Sequence, residues 1–279
     1  MANQQKTELF FHVGLGKTAS TYLQNKVFNQ FKDVVYIHPT KYRKYQKIIE
    51  VNPGKKVFIS REMDRQLERE VKKFAEKYPD TKTIIVLRSN EQWIASQYRR
   101  FLKNGYPYTF KEYFDIENDQ GYWKIQDATF YPKIEILEKY FTQKPLVLFY
   151  EDMRNDTFAF IDKIANYLGV EYDKNTISLE PHHTSYEEKQ LKVMLRVSKF
   201  LFTKDPKYTG SYFNTWIRRR SRMLLCYIIL YSALLIPGFL ISKKPLIDKT
   251  ELEKIKKYYS EDWKKCRERG ELIKLTIDN

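Results

Sequence analysis

Hydrophobic positions form five short runs along the chain, separated by more polar stretches with helical spacing. β-Branched and aromatic residues dominate the runs, which read "LFFHVGL", "VVYIH", "KVFIS", "TKTIIVLR" and "LVLFYED". The intervening segments "DRQLEREVKKFAEKY" and "NDTFAFIDKIANYLG" have the pattern of helices, the second with a candidate C-cap at Gly169. Alternating strands and helices predict βαβ units in a parallel sheet, and runs this apolar are typical of strands buried on both faces.

The pattern changes after residue 175, where strand signals stop. Helical patterns then cover residues 186–203, 211–242 and 249–269. We therefore expect a single domain over residues 1–279, with an α/β core at 8–175 and a helical C-terminal part at 176–279.

The C-terminal part contains an uncharged apolar segment of twenty residues, 223–242. Four arginines precede it and two lysines follow it: Arg218, Arg219, Arg220, Arg222, Lys243 and Lys244. An interfacial membrane anchor, a buried helix and a membrane span are all open interpretations. The basic flanks, Trp216 and the Pro237–Gly238 break favour the interfacial anchor.

Composition points to an anionic partner. Fifty Lys and Arg residues against 35 Asp and Glu give a net charge of +15, which suits a nucleotide, an acidic polymer or an anionic lipid surface. The two cysteines, Cys226 and Cys266, form neither a disulfide framework nor a zinc motif. The N-terminus lacks the pattern of a secretory signal, so the expected location is the cytoplasm, with a peripheral position at the inner face of the membrane.

The stretch "FFHVGLGKTASTYLQ" predicts an anion cradle at a strand-to-helix turn. Gly14 and Gly16 let backbone amides approach an anion, and Lys17 supplies a positive charge. Three hydroxyl donors follow at the helix N-terminus: Thr18, Ser20 and Thr21. His12, inside the strand, is expected to pack in the core.

The cradle does not have the pattern of an ATP-binding Walker loop. That pattern requires glycine five residues before Gly16, where this chain has Phe11. The third run, in "KVFISRE", ends at Arg61 and Glu62 and does not provide the aspartate that holds magnesium. These two differences count against a nucleotide kinase or NTPase, which stays an alternative only with a degenerate loop.

The segment "HVGLGKTASTYLQ" resembles the 5′-phosphosulfate loop of PAPS-dependent sulfotransferases, especially their bacterial and carbohydrate-type members. The departure is Ala19, where glycine is common in that family. In "TIIVLRSNEQWIASQYRRF", Arg88 ends a strand and Ser96 follows eight residues later. The resemblance implies that this pair binds the 3′-phosphate of the nucleotide.

The resemblance covers roughly residues 8–200. It includes "PLVLFYEDMRNDTFAFIDKIANYLGV", where we interpret Glu151 and Asp152 as structural. It implies a three-layer, P-loop-like α/β fold around a five-stranded parallel sheet. It also implies transfer of a sulfuryl group from PAPS to a hydroxyl of a glycan or lipid-linked acceptor, with no metal and no nucleic acid. A membrane-associated nucleotide-binding protein without turnover is the non-enzymatic alternative.

Sulfuryl transfer requires a group that stabilises the leaving oxygen and a general base. Lys17 is the candidate for the first role. For the second we expect Glu62, in a Ser-x-Glu placement that resembles related members, although a glutamate at a helix N-terminus can serve the helix dipole instead. His38, at the end of the second run, is the alternative base.

Further candidate contacts lie elsewhere in the chain. The resemblance implies nucleotide contacts near "PHHTSYEEK", where the candidates are His183 and Ser185. Tyr106, Tyr108 and Trp123 are candidates for the acceptor cleft, with packing in the core as the simpler interpretation.

Overall fold

The computed structural model describes residues 7–180, 186–204 and 211–277, with side chains described as far as residue 271. The chain folds into two compact units. The described residues of the first are 7–90, 129–180 and 259–277, and those of the second are 91–128, 186–204 and 211–258. The predicted boundary near residue 175 stays a prediction.

The first unit contains a five-stranded parallel sheet in the order β2-β3-β1-β4-β5. The strands are β1 Glu8–His12, β2 Val34–Ile37, β3 Lys56–Ser60, β4 Lys82–Leu87 and β5 Leu146–Phe149. Each coincides with one of the five apolar runs, β1 beginning one residue earlier at Glu8, so the predicted strands and their parallel arrangement are confirmed.

Burial along the strands shows that both faces of the sheet are covered. Phe10 and Phe11 are each 0% exposed, although successive strand residues point to opposite faces. Val57 and Phe58 in β3 repeat the pattern. Helices therefore cover the sheet on both sides, which gives the three-layer, P-loop-like α/β fold that the sequence predicts.

The helices between and after the strands differ widely in length. They are α1 Ser20–Tyr22, α2 Tyr45–Glu50, α3 Leu67–Ala75, α4 Asn90–Lys103, α5 Phe110–Tyr113, α6 Tyr131–Tyr140, α7 Tyr150–Asn155, α8 Thr157–Leu168, α9 Glu188–Leu201, α10 Tyr212–Ser232, α11 Lys249–Tyr258 and α12 Ser260–Ile277. A π-helical turn, Leu23–Val27, continues α1. Gly169 ends α8 with φ +63°, which confirms the predicted C-cap.

Aromatic side chains pack closely together in the second unit. Phe101 stacks on Tyr106 with ring centroids 4.2 Å apart, and Tyr98 donates to the carbonyl of Tyr108 at 2.9 Å. Trp123 contacts Trp93 edge-to-face at 5.2 Å. These packing contacts account for Tyr106, Tyr108 and Trp123 without an acceptor, so their role in a cleft stays a prediction.

Two helices in the C-terminal part end earlier than the pattern predicts. The helix expected over 211–242 ends at Ser232, because Ile236 takes the extended conformation required before Pro237. The helix expected over 249–269 is interrupted at Tyr259, with α11 in the second unit and α12 in the first.

The apolar segment at 223–242 is largely exposed. Within α10 only Cys226 and Leu230 are buried, so the interpretation as a buried helix does not fit. None of the helices in the described parts of the chain has the length and apolarity needed to cross a membrane.

Candidate functional site

The loop between β1 and α1 has a backbone of alternating hand. Lys17 has φ +70° and Ala19 has φ +64°, while Thr18 between them has a negative φ. Alternation of this kind turns successive N–H groups toward one point and forms a concavity that binds anions. Lys and Ala are strained in the left-handed region, so contacts elsewhere in the loop must hold this shape.

Two buried hydroxyls provide such contacts. Thr18 Oγ1 donates to the Leu15 carbonyl at 2.7 Å, and Ser20 Oγ donates to the same carbonyl at 2.9 Å. Both side chains are buried, whereas Thr21 is exposed. Thr18 and Ser20 thus stabilise the loop itself, and contacts from these three hydroxyls to a nucleotide stay a prediction.

The two glycines meet different requirements. A Cβ at Gly14 would lie 2.6 Å from Cε1 of His12 and 2.9 Å from Oγ of Ser20, so a larger residue does not fit. The N–H of Gly16 donates to Oδ1 of Asp64 at 2.9 Å. This hydrogen bond shows directly that an amide of the loop is placed to bind an anionic oxygen.

His12 lies beneath the loop and is fully buried. Its Nδ1 is 2.8 Å from Oγ of Ser60, which also accepts from Nε2 of Gln24 at 3.0 Å. Burial lowers the pKa of His12 to about 3. The side chain is therefore uncharged at neutral pH and too weak a base for catalysis, in agreement with its predicted place in the core.

Arg88 follows β4 and contacts the loop. Its Nη1 lies 3.4 Å from the carbonyl oxygen of Lys17, and its guanidinium carbon lies 4.5 Å from the ring centroid of Tyr150. Lys17 and Arg88 therefore lie together at one edge of the sheet. This edge contains the topological switch point of the sheet, because β2 and β3 lie on one side of β1 whereas β4 and β5 lie on the other. Such points bind ligands in α/β sheets.

Glu151 and Asp152 support this edge from the first turn of α7, directly after β5, in agreement with the structural interpretation. Oε1 of Glu151 accepts from the N–H of Ser89 at 2.9 Å and so holds the backbone next to Arg88. Asp152 pairs with Arg267 of α12 at 2.8 Å. The contact between Glu151 and Ser89 forms because β4 and β5 are neighbours in the sheet. Sequence spacing alone does not reveal that strand order.

Glu62 lies beside the loop. The backbone next to it extends the pairing of β3 with β1: Arg61 N–H donates to the His12 carbonyl at 3.0 Å, and Met63 N–H donates to the Gly14 carbonyl at 2.8 Å. Glu62 is half-buried between these two bonds. A carboxylate thus follows the strand next to β1, at the edge that carries Lys17.

His38 is farther from the loop. It follows β2, which β3 separates from β1, and two strand spacings amount to about 10 Å. Its Nδ1 accepts from the N–H of Thr40 at 3.3 Å and so caps the 3-10 helix Pro39–Lys44. This capping contact explains the presence of His38 without a catalytic role.

The remaining predicted nucleotide contacts are not brought together in the first unit. Ser96 lies within α4 in the second unit, so its pairing with Arg88 stays a prediction. His183 and Ser185 lie outside the described residues. Within the described part of the chain, no group of three or more His, Cys, Asp or Glu residues is arranged to hold a metal ion.

Sequence reasoning missed two residues of this site. Asp64 binds the loop amide of Gly16, and Tyr150 packs against Arg88. Both follow strands of the sheet within a few residues, in "SREMDR" and "LFYED". That position after a strand is the sequence feature that could have identified them. Their contacts depend on strand order and on the path of the loop, which the sequence pattern does not determine.

Comparison with known proteins gives one family. Residues 42–219 match the family model described as Sulfotransferase domain, a range that begins after the loop and includes Arg88 and Ser96. No curated protein matches the chain.

Two solved structures are similar at low sequence identity. A sulfotransferase from Alicyclobacillus acidocaldarius aligns with a TM-score of 0.49 and 16% identity over 68% of this chain and 92% of that one. Mouse sulfotransferase SULT7A1, complexed with PAP, aligns with a TM-score of 0.37 and 14% identity over 72% of this chain and 68% of that one.

Proposed function

The chain belongs to the sulfotransferase domain family, and from this premise we propose that it transfers a sulfuryl group from PAPS to a hydroxyl of a glycan or lipid-linked acceptor. The observation that carries the proposal is the loop of alternating backbone after β1, with Lys17 in it and Arg88 against it. An anion cradle, an exposed ammonium group and a guanidinium group at one sheet edge suit a ligand with several anionic groups.

The loop residues fit the 5′ end of such a donor. The N–H of Gly16 already donates to an anionic oxygen, Oδ1 of Asp64. Lys17 is exposed and can reach a ligand in the concavity. We assign Gly14, Gly16, Lys17, Thr18, Ser20 and Thr21 to this end of the nucleotide.

Arg88 suits the 3′-phosphate, because a planar guanidinium group binds phosphate through two parallel hydrogen bonds. Its stacking on Tyr150 and the Glu151–Ser89 contact hold it at the edge of the sheet. Ser96, His183 and Ser185 remain proposed nucleotide contacts on the family resemblance alone.

PAPS would supply the sulfuryl group, and the chain's own residues would supply the remaining chemistry. Glu62 would accept the proton of the acceptor hydroxyl while the new S–O bond forms. Lys17 would stabilise the negative charge on the oxygen that leaves with the nucleotide, as the old S–O bond breaks. We favour Glu62 over His38 because β3 adjoins β1, whereas β2 does not.

The alternative of a nucleotide kinase or NTPase has less support. Phe11, at the position of the missing glycine, is a fully buried residue inside β1, so the loop starts only after it. A protein that binds the nucleotide without turnover would have no use for a carboxylate beside the loop.

The acceptor class and location belong to the same proposal. A lipid-linked acceptor would be reached by a cytoplasmic enzyme bound peripherally at the inner face of the membrane. The exposed apolar residues of α10 provide a surface for that position.

The test is transfer of label from [³⁵S]PAPS into lipid and polysaccharide extracts. We expect label in one of the two fractions, a loss of about a hundredfold or more in Lys17→Ala, and a comparable loss in Glu62→Gln with nucleotide affinity retained. His38→Gln serves as the matched control and should keep most of its activity. Label released only as inorganic sulfate by the wild type would contradict sulfuryl transfer to a hydroxyl, and a larger loss in His38→Gln than in Glu62→Gln would move the base to His38.

A further inference from the structure

Helix α10 is attached to its own unit along one stripe. Cys226, Leu230 and Ala233 are buried, at the spacing of one helix face that continues into the following turn. Nε2 of Gln190, on α9, donates to the Leu230 carbonyl at 2.9 Å. Arg222 donates to the Gly105 carbonyl at 2.9 Å and, unlike the arginines before it, is part of this attachment.

The opposite side of α10 carries five exposed apolar side chains. The exposed fractions are 64% for Phe213, 40% for Ile217, 62% for Leu224, 53% for Ile228 and 60% for Tyr231. Separations of four, seven, four and three residues place these five side chains on one helix face, which we call the apolar face. Arg220 and Ser221 occupy the same face between Ile217 and Leu224. Single exposed apolar residues are ordinary, but five on one helix face mark a surface that binds something.

The exposed apolar row continues beyond the helix. Leu235 is 85% exposed and Phe239 is 83% exposed, in the turns that follow α10. The segment is held by lysines of α9: Lys189 donates to the Leu234 carbonyl at 3.0 Å and Lys192 to the Ser242 carbonyl at 3.1 Å. These side chains are thus exposed while the backbone that carries them is bound to the unit.

Positive charge lies within the first half of this row and beyond its last apolar residue. Arg218, Arg219 and Arg220 are exposed in the first half of α10. Lys243 and Lys244 are exposed after its last apolar residue. Trp216, 46% exposed with Arg220 5.6 Å from its ring centroid, adds an aromatic side chain of the kind enriched at membrane interfaces.

We propose that the apolar face docks on an anionic lipid bilayer, with α10 lying in the plane of the interface. The apolar face is exposed along the helix, while the opposite side is attached to the unit. The helix axis would therefore lie parallel to the membrane surface. Anionic headgroups complement the arginines within the first half of α10 and the lysines beyond the row. A second copy of the chain fits less well, because each copy carries a net charge of +15 and would bring arginines against the same apolar row.

Docking can be tested without turnover, so failure of the proposed sulfuryl transfer would leave this inference intact. The probes are vesicles of phosphatidylcholine alone and vesicles that also contain phosphatidylglycerol, in flotation at low and high salt. We expect binding to the anionic vesicles that weakens with salt, and little binding to the neutral ones.

Three variants separate the contributions. Arg218→Gln/Arg219→Gln/Arg220→Gln should lower partitioning by about a hundredfold, since each basic residue near an anionic surface adds a comparable share. Leu224→Ser/Ile228→Ser should weaken the binding that persists at high salt, and both side chains are exposed enough for the fold to tolerate the change. Lys41→Gln/Lys44→Gln/Lys47→Gln removes the same charge from exposed sites elsewhere and should bind almost as the wild type does.

Three outcomes would overturn the proposal. Absence of binding to either vesicle type would remove the lipid partner. Equal losses in the two charge variants would show an effect of net charge and not of this face. Concentration-dependent self-association that Leu224→Ser/Ile228→Ser abolishes would make the apolar face a contact between copies of the chain.

Discussion

At the scale of single residues, the loop after β1 keeps two side chains in a conformation that disfavours them. Lys17 and Ala19 both have positive φ, and Thr18 and Ser20 hold the turn through the Leu15 carbonyl. Strain of this kind persists where surrounding contacts fix the backbone, and it is concentrated at functional sites. The family resemblance expects glycine at position 19, so this chain keeps the loop shape with a less suitable residue.

Ala19→Gly should therefore stabilise the protein. Glycine removes the penalty of a left-handed alanine, about 1–2 kcal/mol. Part of this stabilisation is lost because glycine makes the unfolded chain more flexible, so the free energy of unfolding should rise by up to about 1 kcal/mol. Urea unfolding of the two proteins measures it.

The matched control is Ala159→Gly, at an exposed position in α8. Glycine inside a helix should destabilise by about 0.5–1 kcal/mol, so the two substitutions should have opposite signs. Destabilisation by both would show that the strain at position 19 does not limit stability.

The types of residue at the site could be predicted, but several of their contacts could not. Lys17, Arg88 and Glu62 follow strand ends, and parallel strands bring those ends to one edge, so their convergence follows from pattern alone. The hydroxyls of Thr18 and Ser20 were expected to face a ligand, yet both donate to the Leu15 carbonyl within the loop. Such local hydrogen bonds depend on the dihedral angles of the turn, which composition does not fix.

At the scale of elements, the strands were more predictable than the C-terminal helices. Each strand is a short, continuous apolar run between polar segments, a signal that needs no knowledge of neighbours. The interruption at Tyr259 has no comparable signal, because helical spacing continues on both sides of it. It separates α11, in the second unit, from α12, in the first.

Helix α12 contributes one contact that joins three segments of the first unit. Asp262 accepts from the N–H of Phe130 at 2.9 Å, from the N–H of Tyr131 at 2.9 Å and from Nδ2 of Asn90 at 3.1 Å. Its carboxylate thereby caps the start of α6 and holds the residue at which α4 begins, two positions after Arg88.

Asp262→Ala should lower the free energy of unfolding by about 2 kcal/mol or more, since it removes the cap and three charge-assisted hydrogen bonds at a partly buried position. Denaturant unfolding provides the measurement. Glu268→Ala on the same helix is the control, because its pair with Lys264 at 3.9 Å is exposed and should contribute little. Equal effects of the two substitutions would mean that the Asp262 contacts do not support the fold.

At the scale of the whole molecule, charge and exposed apolar surface serve two separate proposals. The excess of 50 basic over 35 acidic residues predicted an anionic partner without saying which one. Lys17 and Arg88 in the first unit supply the cations of the nucleotide proposal. Arg218, Arg219 and Arg220 in the second unit supply those of the lipid proposal. Net charge could be read from the sequence, but the exposure of the apolar face became evident only from the structure.

The central claim is that the first unit binds a 3′-phosphorylated adenosine nucleotide, the property that distinguishes a PAPS-dependent enzyme from one that uses ATP. Calorimetric titration with adenosine 3′,5′-bisphosphate and with adenosine 5′-monophosphate compares ligands that differ only in the 3′-phosphate. A charge-assisted contact of about 1.5–3 kcal/mol from Arg88 predicts at least tenfold tighter binding of the bisphosphate. Arg88→Ala should reduce that ratio to near unity, and equal affinities in the wild type would contradict the assignment of PAPS as the donor.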